Sequence, residues 1–381
     1  MLPSIMHNPH PLHTDEFWMF EAIELARKGV GMVSPNPMVG CIIVDEKGDK
    51  IGEGYHKKIG EAHAEVNAVG SVSKKSALRK ATVYVTLEPC SHYGKTPPCA
   101  PMLAELPIKR VVIGHQDPNM KVNGNGISLL REKGIQVDVG ILKKECEHLN
   151  EYFIHHQLYG RPFITLKIAQ TADGYLAAPD GDSQWISGKK SREQVHKWRS
   201  EMDAVLVGRS TAFMDDPSLT VRHVKGRQPK RIVLDGPYEL PRDLKLFSDK
   251  FEEKTIIVTW NKKASATDAD PMLRVMQHNY FRGEVIQVGK QDGHLDLKET
   301  FKELGNRGIT SVLIEAGQNL STALLKAGLV DKIELFIAPK LLGGGTRSIM
   351  NLGVNKMRDI IQMKEPSWQQ VGDDLLLTAY L

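Results

Sequence analysis

The strongest constraint on this chain is a long alternation of β-branched runs with helix-periodic segments, broken once at residues 160–163, GRPF. Before the break, DEFWMFEAIELARKGV (15–30) has apolar residues at helical spacing, with Thr14 or Asp15 as the cap. Two strand-like runs, 38–45 and 50–57, flank the turn EKGD; a helix is expected over about 62–72. The run ATVYVTLE (81–88) leads into a Pro/Cys-rich loop, followed by a short helix (98–106) and a strand (109–114). A Gly/Asn loop (121–126), a strand (135–140) and a helix from about 143 to 158 complete the first half. After the break, FITLKIAQT opens a second series, with strands near 203–211, 230–236, 254–260, 283–289, 310–317 and 332–343. Helices are expected between them at 190–200, 296–307 and 319–328. Alternation of this kind builds α/β sheets, and 381 residues are enough for two such domains. The expected division is a flexible tail at 1–14, a first domain at 15–150 and a second at 151–381.

Composition removes other classes. Apolar residues make up 41% and charged residues 25%, which excludes disordered, collagen-like and coiled-coil chains. The net charge of +4 is too small to imply a nucleic-acid or membrane-surface partner. Four cysteines are too few for a disulfide scaffold. The N-terminal residues lack a basic region followed by an apolar run, and no apolar stretch reaches the ~20 residues of a membrane span. A cytoplasmic protein is expected.

One constellation carries specific chemistry. Residues 61–69 read EAHAEVNAV and residues 88–99 read EPCSHYGKTPPC. A His-x-Glu followed by Pro-Cys and a second Cys is the signature of zinc-dependent deaminases. His63, Cys90 and Cys99 offer one imidazole and two thiolates, leaving a fourth tetrahedral position for a water that zinc makes acidic. Glu65 is the candidate proton shuttle, from water to ring nitrogen and then to the leaving amine. Residues two apart do not share a helix face. His63 and Glu65 can meet only at a site off the helix N-terminus, and the helix starting near Pro98 should point its N-terminus there too. Nucleic-acid-editing deaminases have two residues between their cysteines. Here there are eight, including His92, Lys95 and Thr96, which suit an anionic group on the substrate. Cys41 and Cys146 lack such partners and are expected to be buried and inert.

The second half has neither a G-x-G-x-x-G after a strand nor a Walker A sequence. Its strand-turn-helix VLIEAGQNLSTALL (312–325) could cradle an anion: Gly317 permits close backbone approach, and Ser321 and Thr322 open a helix.

Taken together, these segments resemble the bifunctional deaminase–reductases of riboflavin biosynthesis, from about residue 15 to 380. The resemblance runs through SPNPMVG (34–40), GYH (54–56), HAE (63–65), EPCSHYGKTPPC, LKIAQTADG (166–174), SQWIS (183–187), the run 209–222, IEAG (314–317) and 329–344. It implies an α/β architecture, with an N-terminal cytidine-deaminase-like mixed-sheet domain and a C-terminal dihydrofolate-reductase-like domain. It also implies two cofactors, Zn2+ and NADPH, and phosphorylated pyrimidine substrates. The first reaction would be hydrolytic deamination of 2,5-diamino-6-ribosylamino-4(3H)-pyrimidinone 5′-phosphate, the second reduction of the ribosyl side chain to ribityl. Asn36, His56, His92 and Lys95 match deaminase substrate positions. Ala169, Trp185, Thr211 and Asp215 match positions for the nicotinamide cofactor, as does the turn Gly317, Gln318, Asn319, Leu320, Ser321, Thr322 and Ala323. Lys167, Ser183, Arg199, Leu219, Arg222 and Glu315 match reductase substrate positions, the two arginines suiting the phosphate. Family members commonly associate through the reductase domain, so a homo-oligomer is expected, with no nucleic-acid or membrane partner. The competing readings are a tRNA or free-nucleoside deaminase with an accessory domain, and a degenerate deaminase fold that only senses pyrimidines. The long inter-cysteine loop counts against the first and the complete His/Glu/Cys/Cys set against the second.

Overall fold

The computed structural model describes residues 8–91, 97–119, 123–261 and 281–381. It divides into two compact units between Tyr159 and Gly160, at the GRPF break. The boundary thus lies past the expected 150/151 division, and the helix Glu151–Tyr159 falls in the first unit.

The first unit carries a five-stranded sheet among the described residues, in the order β2-β1-β3-β4-β5. Its strands are β1 (Gly40–Val44), β2 (Lys50–Tyr55), β3 (Thr82–Leu87), β4 (Arg110–His115) and β5 (Gln136–Val139). β1 runs antiparallel to both β2 and β3, while β3, β4 and β5 are mutually parallel. Alternating side chains serve two cores. Cys41, Ile43, Val83, Val85, Val111 and Ile113 face one side, packed by α2 (Ala64–Ser71), α3 (Cys99–Ala104) and α4 (Asn125–Glu132). Ile42, Val44, Tyr84 and Val112 face the other, packed by α1 (Asp15–Ala26) and α5 (Lys143–Leu149). The Thr14 hydroxyl caps α1 by accepting from the Phe17 amide. Gly40 lets α1 lie directly on the sheet: a Cβ there would come within 1.9 Å of the Ala22 carbonyl oxygen.

Residues 8–14 of the expected flexible tail are anchored. The Asn8 amide donates to the Phe17 carbonyl and the Glu21 carboxylate, and the His13 ring bonds the Gly48 carbonyl. The single helix expected over 143–158 is two helices, α5 and α6 (Glu151–Tyr159), split at Asn150. The cause is tertiary: the buried Asn150 side chain accepts from the Met38 amide and donates to its carbonyl. α4 was not anticipated, because it begins inside the Gly/Asn loop.

The second unit carries a nine-stranded sheet among its described residues. In chain order the strands are β6 (Phe163–Thr171), β7 (Ala204–Gly208), β8 (Lys230–Leu234), β9 (Thr255–Thr259), β10 (Glu284–Gln287), β11 (Ser311–Glu315), β12 (Lys332–Ala338), β13 (Lys364–Val371) and β14 (Asp374–Tyr380). The spatial order is β10-β9-β8-β7-β11-β6-β12-β14-β13, parallel from β10 to β12 and antiparallel beyond. The last two strands add to the expected set; β13 is exposed on both faces and shows no polar–apolar alternation that would announce it. The helices relevant to the site are α7 (Lys189–Glu201), α8 (Arg209–Asp215), α9 (Leu297–Asn306) and α10 (Gln318–Lys326). Phe301, Leu304, Leu324 and Leu325 of α9 and α10 cover one sheet face. β7 and β11 are neighbours whose outgoing connections part company: α8 leads to β8, while α10 leads past β6 to β12. Such a switch point opens a crevice at the carboxyl ends of the strands. Among the described residues, no helix is long and apolar enough to cross a membrane.

Candidate active sites

In the first unit, two helices begin at the same place. His63 is the N-cap of α2, Glu65 lies in its first turn, and Cys99 is the first residue of α3. Cys90 follows β3 by three residues and approaches from the sheet side. The His63 Nδ1 lies 3.3 Å from the Cys99 sulfur and 3.6 Å from the Cys90 sulfur. All three donor atoms fall within 4.8 Å of one another. The Cys99 amide donates to the Cys90 sulfur at 3.3 Å and the Ala100 amide to the Cys90 carbonyl at 3.0 Å, so the start of α3 holds Cys90 by its backbone and its side chain.

The electrostatics fit cation ligation. Hydrogen bonds from the Cys99 thiol, His63 and the Cys99 amide hold the Cys90 thiol well below its ordinary value. The Cys99 thiol is correspondingly pushed up, first by its bond to Cys90 and then by burial. One imidazole and two sulfurs, one of them already favouring the thiolate, make a soft, compact donor set suited to zinc. Glu65 is buried beside them. Burial pushes its carboxyl up to about 7, with the Cys90 charge adding to the effect. That value suits a group that must take and return protons near neutrality.

Asn36 and His56 lie at the same site. The His56 and His63 rings meet edge-on with centroids 5.4 Å apart. The His56 Nδ1 donates to the Ala62 carbonyl, which leaves Nε2 to accept from the Asn36 side-chain amide at 3.3 Å. Burial holds the His56 imidazole below its ordinary pKa, favouring this neutral form. His92 and Lys95 lie outside the described residues. Cys41 and Cys146 are buried in the cores and free, and burial pushes the Cys146 thiol to about 12.

Sequence reasoning missed Glu88. Its buried carboxylate accepts four backbone amides, from Asp117, Gly124, Gly126 and Ile127. The available signal was an acid closing an apolar strand immediately before Pro-Cys.

In the second unit Lys167, Arg199, Thr211, Glu315 and Gly317 gather around the carboxyl ends of β7 and β11. Gly208 and Gly317 are the N-caps of α8 and α10. A Cβ on Gly208 would sit 3.4 Å from Leu320, and one on Gly317 would sit 3.7 Å from the Thr211 hydroxyl. The two helix starts therefore face one another across the crevice, with Thr211 between them. Gln318, Asn319, Leu320 and Ala323 belong to the first turns of α10. The Ser321 and Thr322 side chains are buried and engaged internally: the Ser321 hydroxyl donates to the Ala316 carbonyl, and the Thr322 hydroxyl donates to the Gln318 carbonyl and accepts from the Met350 amide. Their side chains therefore shape the turn rather than face the crevice. Asp215 ends α8 and is exposed.

On the substrate-matching side, Glu315 and Lys167 are register partners on β11 and β6. Arg199 of α7 forks onto Glu315, with Nε and Nη2 donating at 2.6 and 2.9 Å, while its Nη1 donates to the Thr220 carbonyl at 3.1 Å. Burial alone would raise the Glu315 carboxyl, but Arg199, Lys167 and His196 hold it below its ordinary value. Burial depresses Lys167 against the pull of Glu315. Leu219 is buried with φ +50°, and Arg222 is exposed. The Arg222 amide donates to His196 Nδ1 at 3.2 Å, a contact the sequence did not suggest. Ala169 and Ser183 are half-buried. Trp185 is 63% exposed beneath the Arg192 guanidinium, and Lys340 holds its loop by donating to the Trp185 and Ile186 carbonyls.

Two family models divide the chain in the same way. Residues 12–115 match the cytidine and deoxycytidylate deaminase zinc-binding region, and residues 162–377 match the RibD C-terminal domain. Fold and site thus define a deaminase joined to a reductase. The riboflavin biosynthesis protein RibD of Actinobacillus pleuropneumoniae is 39% identical over 99% of this chain and 97% of its own, and that of Escherichia coli K12 is 38% identical over 95% and 98%. Acinetobacter baumannii RibD superposes with a TM-score of 0.85 at 35% identity, covering 97% of this chain and 99% of its own. The diaminohydroxyphosphoribosylaminopyrimidine deaminase/5-amino-6-(5-phosphoribosylamino)uracil reductase of Thermotoga maritima superposes at 0.84 with the same identity and coverage. The chain belongs to the RibD family, the bifunctional deaminase–reductases of riboflavin biosynthesis.

Proposed function

We propose that the first unit deaminates 2,5-diamino-6-ribosylamino-4(3H)-pyrimidinone 5′-phosphate, and that the second reduces the ribosyl side chain of the product to ribityl with NADPH. The observation that carries this reading is the imidazole nitrogen and two sulfurs within 4.8 Å, with Glu65 buried alongside. His63, Cys90 and Cys99 would hold zinc, which when bound supplies Lewis acidity toward a water nucleophile. Glu65 takes one proton from the water and delivers it to the ring nitrogen as the hydroxyl adds, then takes the second from that hydroxyl and delivers it to the amine, which departs as ammonia. Asn36 and neutral His56 orient the pyrimidine edge. His92 and Lys95 supply positive or hydrogen-bonding groups for its phosphate.

In the second unit the crevice between α8 and α10 would hold NADPH, which when bound supplies the hydride. Thr211 and the backbone amides of the 317–323 turn would face its phosphates, and Asp215, at the far end of α8, would contact the cofactor away from them. Ala169 and Trp185 would complete the cofactor site. Lys167, Ser183, Leu219, Arg222 and Glu315 hold the substrate. Arg199 is engaged with Glu315 and the Thr220 carbonyl, so it aligns that carboxylate and the 219–222 loop, while exposed Arg222 takes the phosphate. Hydride transfer then rests on positioning.

The test mixes the purified chain with the diaminopyrimidinone phosphate, with and without NADPH. Ammonia is expected in both cases and NADPH oxidation only after deamination; absence of ammonia overturns the reading. The free thiols fit a reducing cytoplasmic setting. Self-association through the second unit is supported by β13, an exposed edge strand bearing Trp368. Light scattering of the purified chain checks it, and a monomer at all concentrations refutes it.

A further inference from the structure

We propose that Glu88 is a positioning residue for the metal site, its carboxylate fixing the segment that carries Cys90. The inference rests on the reading of Cys90 as a ligand.

Glu88 follows β3 and precedes Pro89-Cys90. Its amide continues the sheet by donating to the His115 carbonyl at 2.9 Å. Its side chain, 3% exposed, turns into the start of α4. Oε1 accepts from the Gly126 and Ile127 amides at 3.0 and 3.3 Å. Oε2 accepts from the Gly124 and Asp117 amides at 3.0 and 3.2 Å. All four partners are donors, so both side-chain oxygens must be acceptors. Only a carboxylate satisfies them, and anionic acceptors of backbone amides are among the stronger hydrogen bonds.

The contact reaches the next residue. A Cβ on Gly126 would lie 2.2 Å from the Pro89 carbonyl oxygen, so the backbone at the start of α4 is seated directly on Pro89. Cys90 is thereby held from two sides. Upstream, Glu88 and Pro89 are fastened to α4. Downstream, the Ala100 and Cys99 amides bond the Cys90 carbonyl and sulfur. If the upstream anchor loosens, the Cys90 sulfur can drift from His63 and Cys99 while its own chemistry is unchanged. Groups that orient metal ligands typically contribute 10–100-fold to metal affinity.

The test is Glu88→Gln in the full-length chain. Gln keeps the shape but forces an NH2 against two amide donors. Zinc affinity is measured by competition with a chromophoric chelator, and ligand geometry by the thiolate-to-cobalt charge-transfer bands of the Co(II)-loaded chain. The expected result is a zinc dissociation constant raised roughly 10–100-fold, altered cobalt bands and unchanged NADPH oxidation with pre-deaminated substrate. A lowered melting temperature with the zinc constant and cobalt spectrum of the unaltered chain would mean a purely structural role and overturn the proposal. If the unaltered chain itself bound no zinc, the ligand assignment would fall, and this inference with it. If Glu88→Gln does not fold, Glu88→Asp replaces it, keeping the charge but shortening the reach by one methylene. Unaltered zinc affinity and cobalt bands there also overturn the proposal.

Discussion

The two candidate sites are built on opposite plans. The deaminase site collects residues close in sequence, with chemically uncommon side chains, at two helix starts: His63, Glu65, Cys90 and Cys99. The reductase site collects commonplace side chains from distant segments, and much of their hydrogen-bonding capacity faces inward. Arg199 and Glu315 are 116 residues apart and pair with one another. Ser321 and Thr322 are engaged with their own turn. In the first site each residue acts through its own functional group. In the second, several act by fixing a neighbour, so substitutions there should disturb geometry as well as contacts.

The sharpest way to break this contrast is to remove the metal. Chelation should abolish ammonia release and leave reduction of pre-deaminated substrate intact. Loss of both activities would show that the second unit also depends on the ion. Glu65→Gln comes next. Without a carboxylate that can carry a proton near neutrality, deamination should fall roughly 10³-fold while zinc is retained. Near-normal turnover by this variant would falsify the shuttle role.

The same contrast explains what could be read in advance. Strand and helix order was legible almost throughout, because the periodicities of two and 3.6 are local properties. So was the meeting of two helix starts, since His63 and Glu65 cannot otherwise share a site. Apart from the exposed β13, which shows no alternation, what escaped was set by tertiary contact. Asn150 splits a helix in order to bond Met38. α4 starts in glycines because Pro89 leaves no room for a Cβ at position 126. Arg199 suits a phosphate by its chemistry, but only the fold reveals that Glu315 already holds its fork.

Glu315→Gln probes the inward-facing plan. The ion pair is nearly buried, with side-chain exposures of 10% for Arg199 and 15% for Glu315. Removing the carboxylate leaves Arg199 without its counter-charge beside Lys167, which should destabilise the second unit by about 3 kcal/mol and suppress NADPH oxidation. Thermal unfolding followed with the turnover assay checks both, and loss of turnover with unchanged stability would make Glu315 a contact residue like those of the first unit. Arg222→Ala should act more simply. Loss of one charged contact to phosphate raises the reductase KM roughly tenfold or more and spares deamination. An equal loss in both activities would contradict the division of labour between the units.

His196 offers the finest probe. It is buried on α7, its Nδ1 accepts the Arg222 amide, and its ring meets His223 edge-on at 4.5 Å. Burial, followed by the positive charge of Arg199 and repulsion from His223 and Arg222, holds it at about 4, against an ordinary 6.5, while Glu315 pulls weakly the other way. The unfolded chain therefore binds this proton more readily than the folded one. Between pH 6.5 and 4, unfolding takes up a proton, so stability rises with pH across that window. The contribution is complete above 6.5 and is lost as pH falls toward 4. Glu315, held below its ordinary 4.5, also loses its contribution on acidification, but only as pH falls through 4.5 and below, so the upper part of the window belongs to His196. Gln at 196 keeps an acceptor for the Arg222 amide and cannot titrate. The melting temperature of the second unit should fall from pH 6.5 to 5 in the unaltered chain and stay nearly flat for His196→Gln, with little change in reductase KM at neutral pH. Matching acid profiles would assign that slope to other groups. A large rise in KM would show that the imidazole itself, rather than an acceptor at that position, holds the 219–222 loop.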